Sequence, residues 1–428
     1  MLFEKNKNIK LLSLFDGIGC FPLALANILN IKPEDFKYTS SEIEPYLIDI
    51  INKNFPKVKQ LGDIEKVNYD SLSADIVTMG TPCTGFSVSG KQDGLKNVES
   101  RLFSDGVNVI NKVRPKYFIW ENVYGVLSNN KGKEFRSVLD AFRDIGYDVV
   151  WTTYDTKYFG LPQRRRRIYM IGIKNGINEN HNIFSFLERS KEKLKNKAKK
   201  IDKYYENYYF ESEDLYYFNR QRSDLFKAEG IASTLAKRDY KSFKDLFVYD
   251  NIIKRESPKE RLRLQGMPDN WFSNLPKKYS DSILYRANGM SLPVVEEIFR
   301  EIINYDKEVP ESKNKKELLS QEKNKMVKGE TAFDIKNKKG LPEGRIAYSG
   351  HMRKLSNNNY EYMLIDSCSE SPVKDFYQIS LEDIVDKESG YKYKLSERSI
   401  DGILRREAEN NKPLPKILRE KIKEIYKK

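Results

Sequence analysis

Ile9-Lys10-Leu11-Leu12-Ser13-Leu14-Phe15-Asp16-Gly17-Ile18-Gly19-Cys20 carries a short apolar run into two closely spaced glycines and on into a helical pattern. Ile9 to Phe15 reads as a strand, and Phe21 to Leu29 as a helix with Phe21, Leu25 and Ile28 on one face. The succession continues. Phe36 to Ser40 is a second strand and Tyr46 to Asn54 a helix, and Asp75 to Met79 and Tyr117 to Trp120 are further strands. Phe135 to Asp144 is a helix, followed by strands at Asp148 to Tyr154 and Ile168 to Ile173. Such alternation over the first 175 residues predicts an α/β fold built on a mostly parallel sheet flanked by helices.

The chain has 428 residues, enough for two or three domains. A net charge of +14 fits either plain solubility or a nucleic-acid partner, and charge alone does not choose. Three scattered cysteines, Cys20, Cys83 and Cys368, argue against a disulfide framework and predict a reducing, cytoplasmic compartment. The two histidines, His181 and His351, are not closely spaced with the cysteines, so no metal site is expected. The apolar run in Met1 to Phe15 is too short for a signal peptide, and no run reaches the roughly 18–20 residues of a membrane span.

After Gly176 the character changes. Ser190 to Lys203 is lysine-dense and Tyr204 to Phe218 is packed with aromatics, a pattern open to two readings: a basic recognition region or a small irregular subdomain. Apolar order returns from Leu262 to Ile303, and Lys307 to Lys328 reads as a charged linker or exposed helix. Further on, Arg345 to Tyr348 and Tyr360 to Ile365 read as strands. Ser396 caps a helix carrying Ile400, Ile403 and Leu404, which Pro413 and Pro415 end, and a last helix shows Leu418, Ile422 and Ile425.

Gly17 and Gly19 allow a tight turn and close approach to a ligand, a weak signal alone. Glu42 ends the second strand roughly 20 residues later, where a carboxylate can accept from a ribose diol. Asp63, in Gly62-Asp63-Ile64, can accept from an adenine amino group. Each acid alone reads as an ordinary exposed carboxylate. Together they suit an adenosine-bearing cofactor, and with no GxxxxGK phosphate loop they favour S-adenosyl-L-methionine over a dinucleotide or ATP. Pro82-Cys83-Thr84-Gly85-Phe86-Ser87 then places a cysteine on a short turn after a strand. A lone cysteine is usually a core residue. As a nucleophile in a chain so poor in histidine, Cys83 is expected to attack an electron-poor ring without a histidine base.

Nine blocks now stand in order: FDGIG (Phe15 to Gly19), EIEPY (Glu42 to Tyr46), GDI (Gly62 to Ile64), GTPCTGFSVSGKQDG (Gly80 to Gly94), SRLF (Ser100 to Phe103), ENV (Glu121 to Val123), QRRRRIY (Gln163 to Tyr169), RESPKERLRLQGMPD (Arg255 to Asp269) and ANGMSLPVV (Ala287 to Val295). Across residues 9–305 the chain resembles the DNA cytosine-5 methyltransferases of bacteria and phages. The resemblance implies the S-adenosylmethionine-dependent methyltransferase fold, Rossmann-like, with a smaller inserted target-recognition domain. The implied division is a catalytic and cofactor-binding domain at 1–175 completed by 286–305, and target recognition at 176–285. A linker at 306–340 and a small C-terminal α+β module at 341–428, outside the family core, follow.

The resemblance also implies a mechanism. Cys83 adds to carbon 6 of a flipped-out cytosine, making carbon 5 enamine-like and able to take a methyl group; flipping costs about a few kcal/mol. Glu121 holds or protonates ring nitrogen 3, Arg167 meets the 2-oxo oxygen and Arg165 braces the site. Phe15, Gly17, Ile18, Gly19, Glu42 and Ile43 would line one part of the cofactor pocket. Asp63, Ile64, Gly80, Pro82, Leu102 and Asn288 would line the rest. Ser87 to Asn97 matches the family's mobile loop, with Ser87, Ser89, Lys91 and Gln92 toward DNA. Arg164, Thr234, Arg238 and Arg255 are further DNA-contact candidates, and base-reading residues are expected between Tyr204 and Tyr249. Ser13, Asp16 and Ala287 depart from the family pattern, which bears on cofactor affinity.

The implied partners are duplex DNA and a cognate restriction endonuclease, in restriction–modification or in protection of a phage or mobile element. A monomer without membrane association is expected. Two rivals stay open: an RNA cytosine-5 methyltransferase, and a non-catalytic DNA-binding relative. The long stretch from Asn175 to Tyr249 favours DNA, and the set Cys83, Glu121 and Arg167 favours catalysis.

Overall fold

The structure is a computed structural model that describes residues 2–5, 8–81, 98–174, 215–220, 226–241, 245–308, 330–334, 349–354, 360–365 and 379–427. Its strands are β1 (Leu11–Leu14), β2 (Thr39–Ser41), β3 (Lys59–Gln60), β4 (Ile76–Gly80), β5 (Tyr117–Val123), β6 (Asp148–Asp155) and β7 (Arg166–Ile173), then β8 (Leu215–Arg220), β9 (Phe226–Ala228), β10 (Asp245–Tyr249) and β11 (Ile252–Lys254), and last β12 (Glu330–Asp334), β13 (Ser349–Lys354) and β14 (Tyr360–Ile365). The main helices are α1 (Cys20–Ile28), α2 (Pro45–Asn54), α3 (Val98–Val113), α4 (Lys133–Asp144), α5 (Pro258–Leu264), α6 (Leu292–Glu308), α7 (Glu397–Asn410) and α8 (Lys416–Tyr426).

The architecture is the α/β one expected. Seven strands run in the order β3-β2-β1-β4-β5-β7-β6, and the pairings from β3 through β5 are all parallel. β7 is antiparallel to β5. Every residue of β1 is buried, and so are the first four of β4, as expected where both sheet faces are covered. Pro45 starts α2, whose Tyr46, Leu47, Ile50 and Ile51 turn inward at helical spacing. In the core Phe118 stacks on Phe142 at 4.3 Å between centroids. Gly172 stands opposite Phe118 because a Cβ there would come within 1.8 Å of the ring.

Three antiparallel strands, in the order β12-β14-β13, extend the sheet at its β6 edge. Residues 330–334 read as part of a linker from composition, yet they form β12. Backbone pairing to β14 needs no apolar signature, so composition does not announce it. The strand expected at Arg345 to Tyr348 lies outside the described residues, and the nearest described strand begins at Ser349.

The chain divides into two compact units. The first comprises Met1–Tyr154, Arg166–Lys191 and Val295–Glu370, and the second Asp155–Arg165, Glu192–Val294 and Ser371–Lys428. The second unit holds the antiparallel sheet β11-β10-β8-β9. Its strands alternate. Leu215, Tyr217, Phe247 and Tyr249 pack with Leu381, Ile384 and Val385, while Phe218, Leu246 and Val248 pack with Ile400, Ile403, Leu414, Leu418 and Ile422. Residues 379–427, which read from the sequence as part of a separate module, thus supply the cover for both faces of this sheet.

Candidate active site

β1 has β2 on one side and β4 on the other, so successive connections leave it in opposite directions. Crevices at the carboxyl ends of parallel strands beside such a switch point take ligands. The loop after β1 is shaped for that. Phe15, Gly17 and Gly19 have φ of 54°, 62° and 78°. A phenylalanine in the left-handed region is uncommon and marks a backbone held by its surroundings. Glu42, just beyond β2, accepts the Gly17 N–H through Oε2 at 2.8 Å. Its Oε1 accepts the N–H groups of Ile43 at 2.8 Å and Glu44 at 3.1 Å. The carboxylate therefore ties the glycine loop to the end of the next strand.

Ile18 is fully buried and Ile64 nearly so, whereas the neighbouring Ile43 is 65% exposed, one of two large apolar side chains so displayed among the described residues. Asp63 caps the turn Ile64–Lys66 by accepting the Glu65 N–H at 3.1 Å. That bond, with the Lys66 ammonium, holds its carboxyl below the usual carboxylate range. Leu102, on α3, packs half-buried against the core.

Asp16 stands out in the sequence only as a departure from the family pattern. It is buried and ringed by hydroxyls: Ser13 donates to Oδ1 at 2.6 Å, and Tyr38 and Ser40 donate to Oδ2 at 2.9 and 2.8 Å. Thr78 donates in turn to Ser13 at 3.0 Å, which links β4 to the network. Burial pushes the Asp16 carboxyl up to about 6 against those hydrogen bonds.

The second half of the site lies at the ends of β4 and β5. Gly80 pairs with Glu121, and a Cβ at Gly80 would stand 3.8 Å from a Glu121 carboxylate oxygen. Because β7 runs antiparallel to β5, its first residues return to the carboxyl end of β5 and Arg167 pairs with Val123. Arg167 Nε thereby reaches Glu121 Oε1 at 3.1 Å, in a pair whose side chains are 15% and 10% exposed. Thr81 follows Gly80 and is pinned by Trp120 Nε1 at 2.9 Å and Asn122 Nδ2 at 3.1 Å. Sequence reasoning gave Thr81 no role, although Thr81 stands inside the GTPCTGFSVSGKQDG block and its partner Asn122 inside the ENV block.

Pro82, Cys83, Ser87, Ser89, Lys91 and Gln92 lie outside the described residues, which stop at Thr81, two positions before Cys83. Arg165 and Asn288 belong to the second unit. There Arg165 donates to the Gly289 carbonyl at 3.1 Å, and Asn288 accepts from Arg261 at 3.1 Å. Arg164 pairs with Glu229 at 3.4 Å, and Thr234 donates to the Arg164 carbonyl at 2.6 Å, so these two DNA candidates are neighbours. Arg255 lies over the Tyr285 ring at 4.8 Å. Arg238 falls in the turn Lys237–Tyr240, and its side chain is outside the described ones. Among the described residues no group of three potential ligands could hold a metal, and no described helix is long and apolar enough to cross a membrane.

The model of the C-5 cytosine-specific DNA methylase family matches residues 9–256, more than half of the chain. The chain belongs to this family. As a C-5 cytosine methylase it is similar to the Type II methyltransferase M.NgoBI of Neisseria gonorrhoeae, 31% identical over 67% of this chain and 90% of that one. It is similar also to M.HaeII of Haemophilus aegyptius, 30% identical over 70% and 94%, and to M1.ScrFI of Lactococcus lactis subsp. cremoris, 28% identical over 68% and 76%. The crystal structure of S. pombe Dnmt2 methyltransferase shares the fold, with a TM-score of 0.51 at 19% identity over 71% of this methylase and all of that chain.

Proposed function

We propose that this methylase is a sequence-specific enzyme that transfers a methyl group from S-adenosyl-L-methionine to carbon 5 of a flipped-out cytosine in duplex DNA, through a covalent adduct on Cys83. The observation that carries the reading is the Glu121–Arg167 pair beside Gly80, three residues before Cys83. A planar heterocycle with a ring nitrogen next to an oxo group needs one acidic and one cationic partner side by side, and this pair supplies both.

The residues present fit the cofactor. Glu42 braces a left-handed glycine loop and keeps acceptor capacity for a ribose diol, Asp63 offers an ionised carboxylate to an amino group, and the exposed Ile43 offers an apolar face to a flat ring. When bound, the cofactor supplies an electrophilic methyl group. The protein's own part is to activate the base. The Cys83 thiolate forms a bond to carbon 6, and the electron pair of the 5,6 double bond becomes available at carbon 5 while Glu121 holds nitrogen 3 and Arg167 the 2-oxo oxygen. After transfer the carbon 5 proton leaves and the Cys83–carbon 6 bond breaks, restoring the aromatic ring and the thiolate.

The second unit, which has a sheet of its own and holds Arg164, Thr234 and Arg255, supports duplex DNA over RNA as substrate. The relatives are named both as Type II methyltransferases and as orphan phage methyltransferases, so work beside a restriction endonuclease and work alone both fit the proposed protective role.

Bisulfite sequencing of DNA from a methylation-free bacterial host tests the reading. The wild type is expected to protect cytosines in one short motif. Cys83→Ser is expected to protect none while still binding S-adenosylmethionine by calorimetry. Methylation by Cys83→Ser at the wild-type level, or label transfer to tRNA and not to DNA, would sink it.

A further inference from the structure

We infer that α7, with Lys241 and with Arg255 just after β11, forms a second DNA-binding surface, a cavity that takes phosphodiester groups of the duplex backbone. The inference rests on the DNA reading above and extends it to a C-terminal segment outside the family match.

A cavity of about 410 Å³ lies within the second unit, walled by Lys241, Arg255, Arg398, Arg405 and Arg406. Five cations converge on it, and among the described residues none of its lining side chains is acidic. Like charges brought this close raise the local positive potential, which favours the entry of an anion. The sequence builds it on one helix. At about 100° per residue, Arg398, Arg405 and Arg406 fall on one face of α7, opposite Ile400 and Ile403, which are buried against the sheet. Apolar packing thus fixes which way the arginines point. Arg405 also pairs with Glu409 at 3.6 Å, but both side chains are more than 60% exposed, and such a pair contributes little.

Gly402 sits in the middle of the basic face and lines the cavity. A Cβ there would meet only the Arg406 guanidinium, at an ordinary 3.5 Å, so the helix does not require a glycine for space. Glycine in a helix interior is unfavourable relative to alanine. At this position it leaves room in the cavity. Arginine and lysine around a space of this kind suit a phosphate oxygen cluster and read no base, so the cavity would hold the duplex without adding to sequence choice.

Fluorescence anisotropy of duplex DNA binding, titrated with KCl, tests this. Arg398→Gln combined with Arg405→Gln is expected to weaken binding equally on the methylated motif and on a scrambled duplex. It should also lower the slope of log affinity against log salt by about 0.9 for each phosphate no longer neutralised. Gly402→Leu keeps every charge, favours the helix and fills the cavity, so it should weaken binding in the same way. Lysine at both arginine positions should restore the slope. An unchanged slope in the glutamine and leucine variants would overturn the inference while leaving the proposed function intact. So would inorganic phosphate binding that the glutamine variant abolishes with no change in DNA affinity, since the cavity would then serve a free anion. A wild type that transfers no methyl group to duplex DNA would overturn the proposed function and this second surface with it.

Discussion

Asp16 carries the cost of burying a carboxylate beside the glycine loop that follows β1. Burial raises it to about 6, the Glu42 charge adds to the rise, and three hydroxyl donors offset only part. With the folded value above an unfolded value of about 3.9, the folded state holds the proton more tightly. Stability therefore falls as pH rises from about 4 to about 6 and is level beyond, a loss of up to about 3 kcal/mol. Asp16→Asn should remove that slope. Glu256, buried in the second unit, is pushed up to about 8 first by burial and then by Asp245, so the informative quantity is the difference between wild type and variant. Melting temperatures from pH 4 to pH 7 should fall more steeply for the wild type than for the asparagine variant, which keeps only the decline due to Glu256, and parallel curves would refute the argument. At the same scale, the Glu121–Arg167 pair was legible as two motif residues 46 positions apart. Their 3.1 Å approach follows from the antiparallel run of β7, which local patterning does not reveal.

Helix α5 is the element in which local and tertiary demands meet. Ser257 and Glu260 form a capping box, with Ser257 Oγ accepting the Glu260 N–H at 3.1 Å and Glu260 Oε2 accepting the Ser257 N–H at 2.6 Å. The same Glu260 accepts from Lys254 Nζ at 2.6 Å and from the Asp386 N–H at 2.8 Å, with both charged side chains wholly buried. The lysine lies within 6 Å of the rings of Phe247, Tyr249 and Tyr393. Removing one partner of a buried pair leaves the other charge stranded. Lys254→Met should cost about 3–5 kcal/mol, against about 1 kcal/mol for Ser257→Ala, which removes only the cap. Urea denaturation of both variants checks the ranking, and equal losses would mean that the buried ion pair contributes no more than the cap. The serine, proline and glutamate that begin α5 can be read from the sequence. The role of Glu260 as anchor for residue 386 cannot, because its partner stands 126 positions away.

At the scale of the whole molecule, the C-terminal segment is structural for the second unit. Ile400, Ile403, Leu418 and Ile422 are at most 1% exposed against the β8–β11 sheet, and each fully buried side chain of this kind is worth about 1.5–3 kcal/mol. A chain ending at Glu370 would lay bare both faces of that sheet. It should be poorly soluble and should lose protease resistance within residues 215–254, as limited proteolysis with mass spectrometry would show. A soluble truncated chain with the same cleavage pattern would mean that the sheet stands alone. The sequence by itself determined the α/β class, the strands β1, β2, β4, β5, β6, β7 and β14 and the helices α1, α2 and α4 of the first unit, the glycine loop with Glu42 and Asp63, and the family, because apolar periodicity and motif order are local properties. It also placed the last two helices and their buried isoleucines. What those helices cover, the hydroxyl ring around Asp16, the strand at 330–334 and the meeting of Glu121 with Arg167 were decided by the tertiary structure alone. Each depends on pairing between distant segments, and a chain's local pattern states which side of an element seeks cover but not which other element provides it.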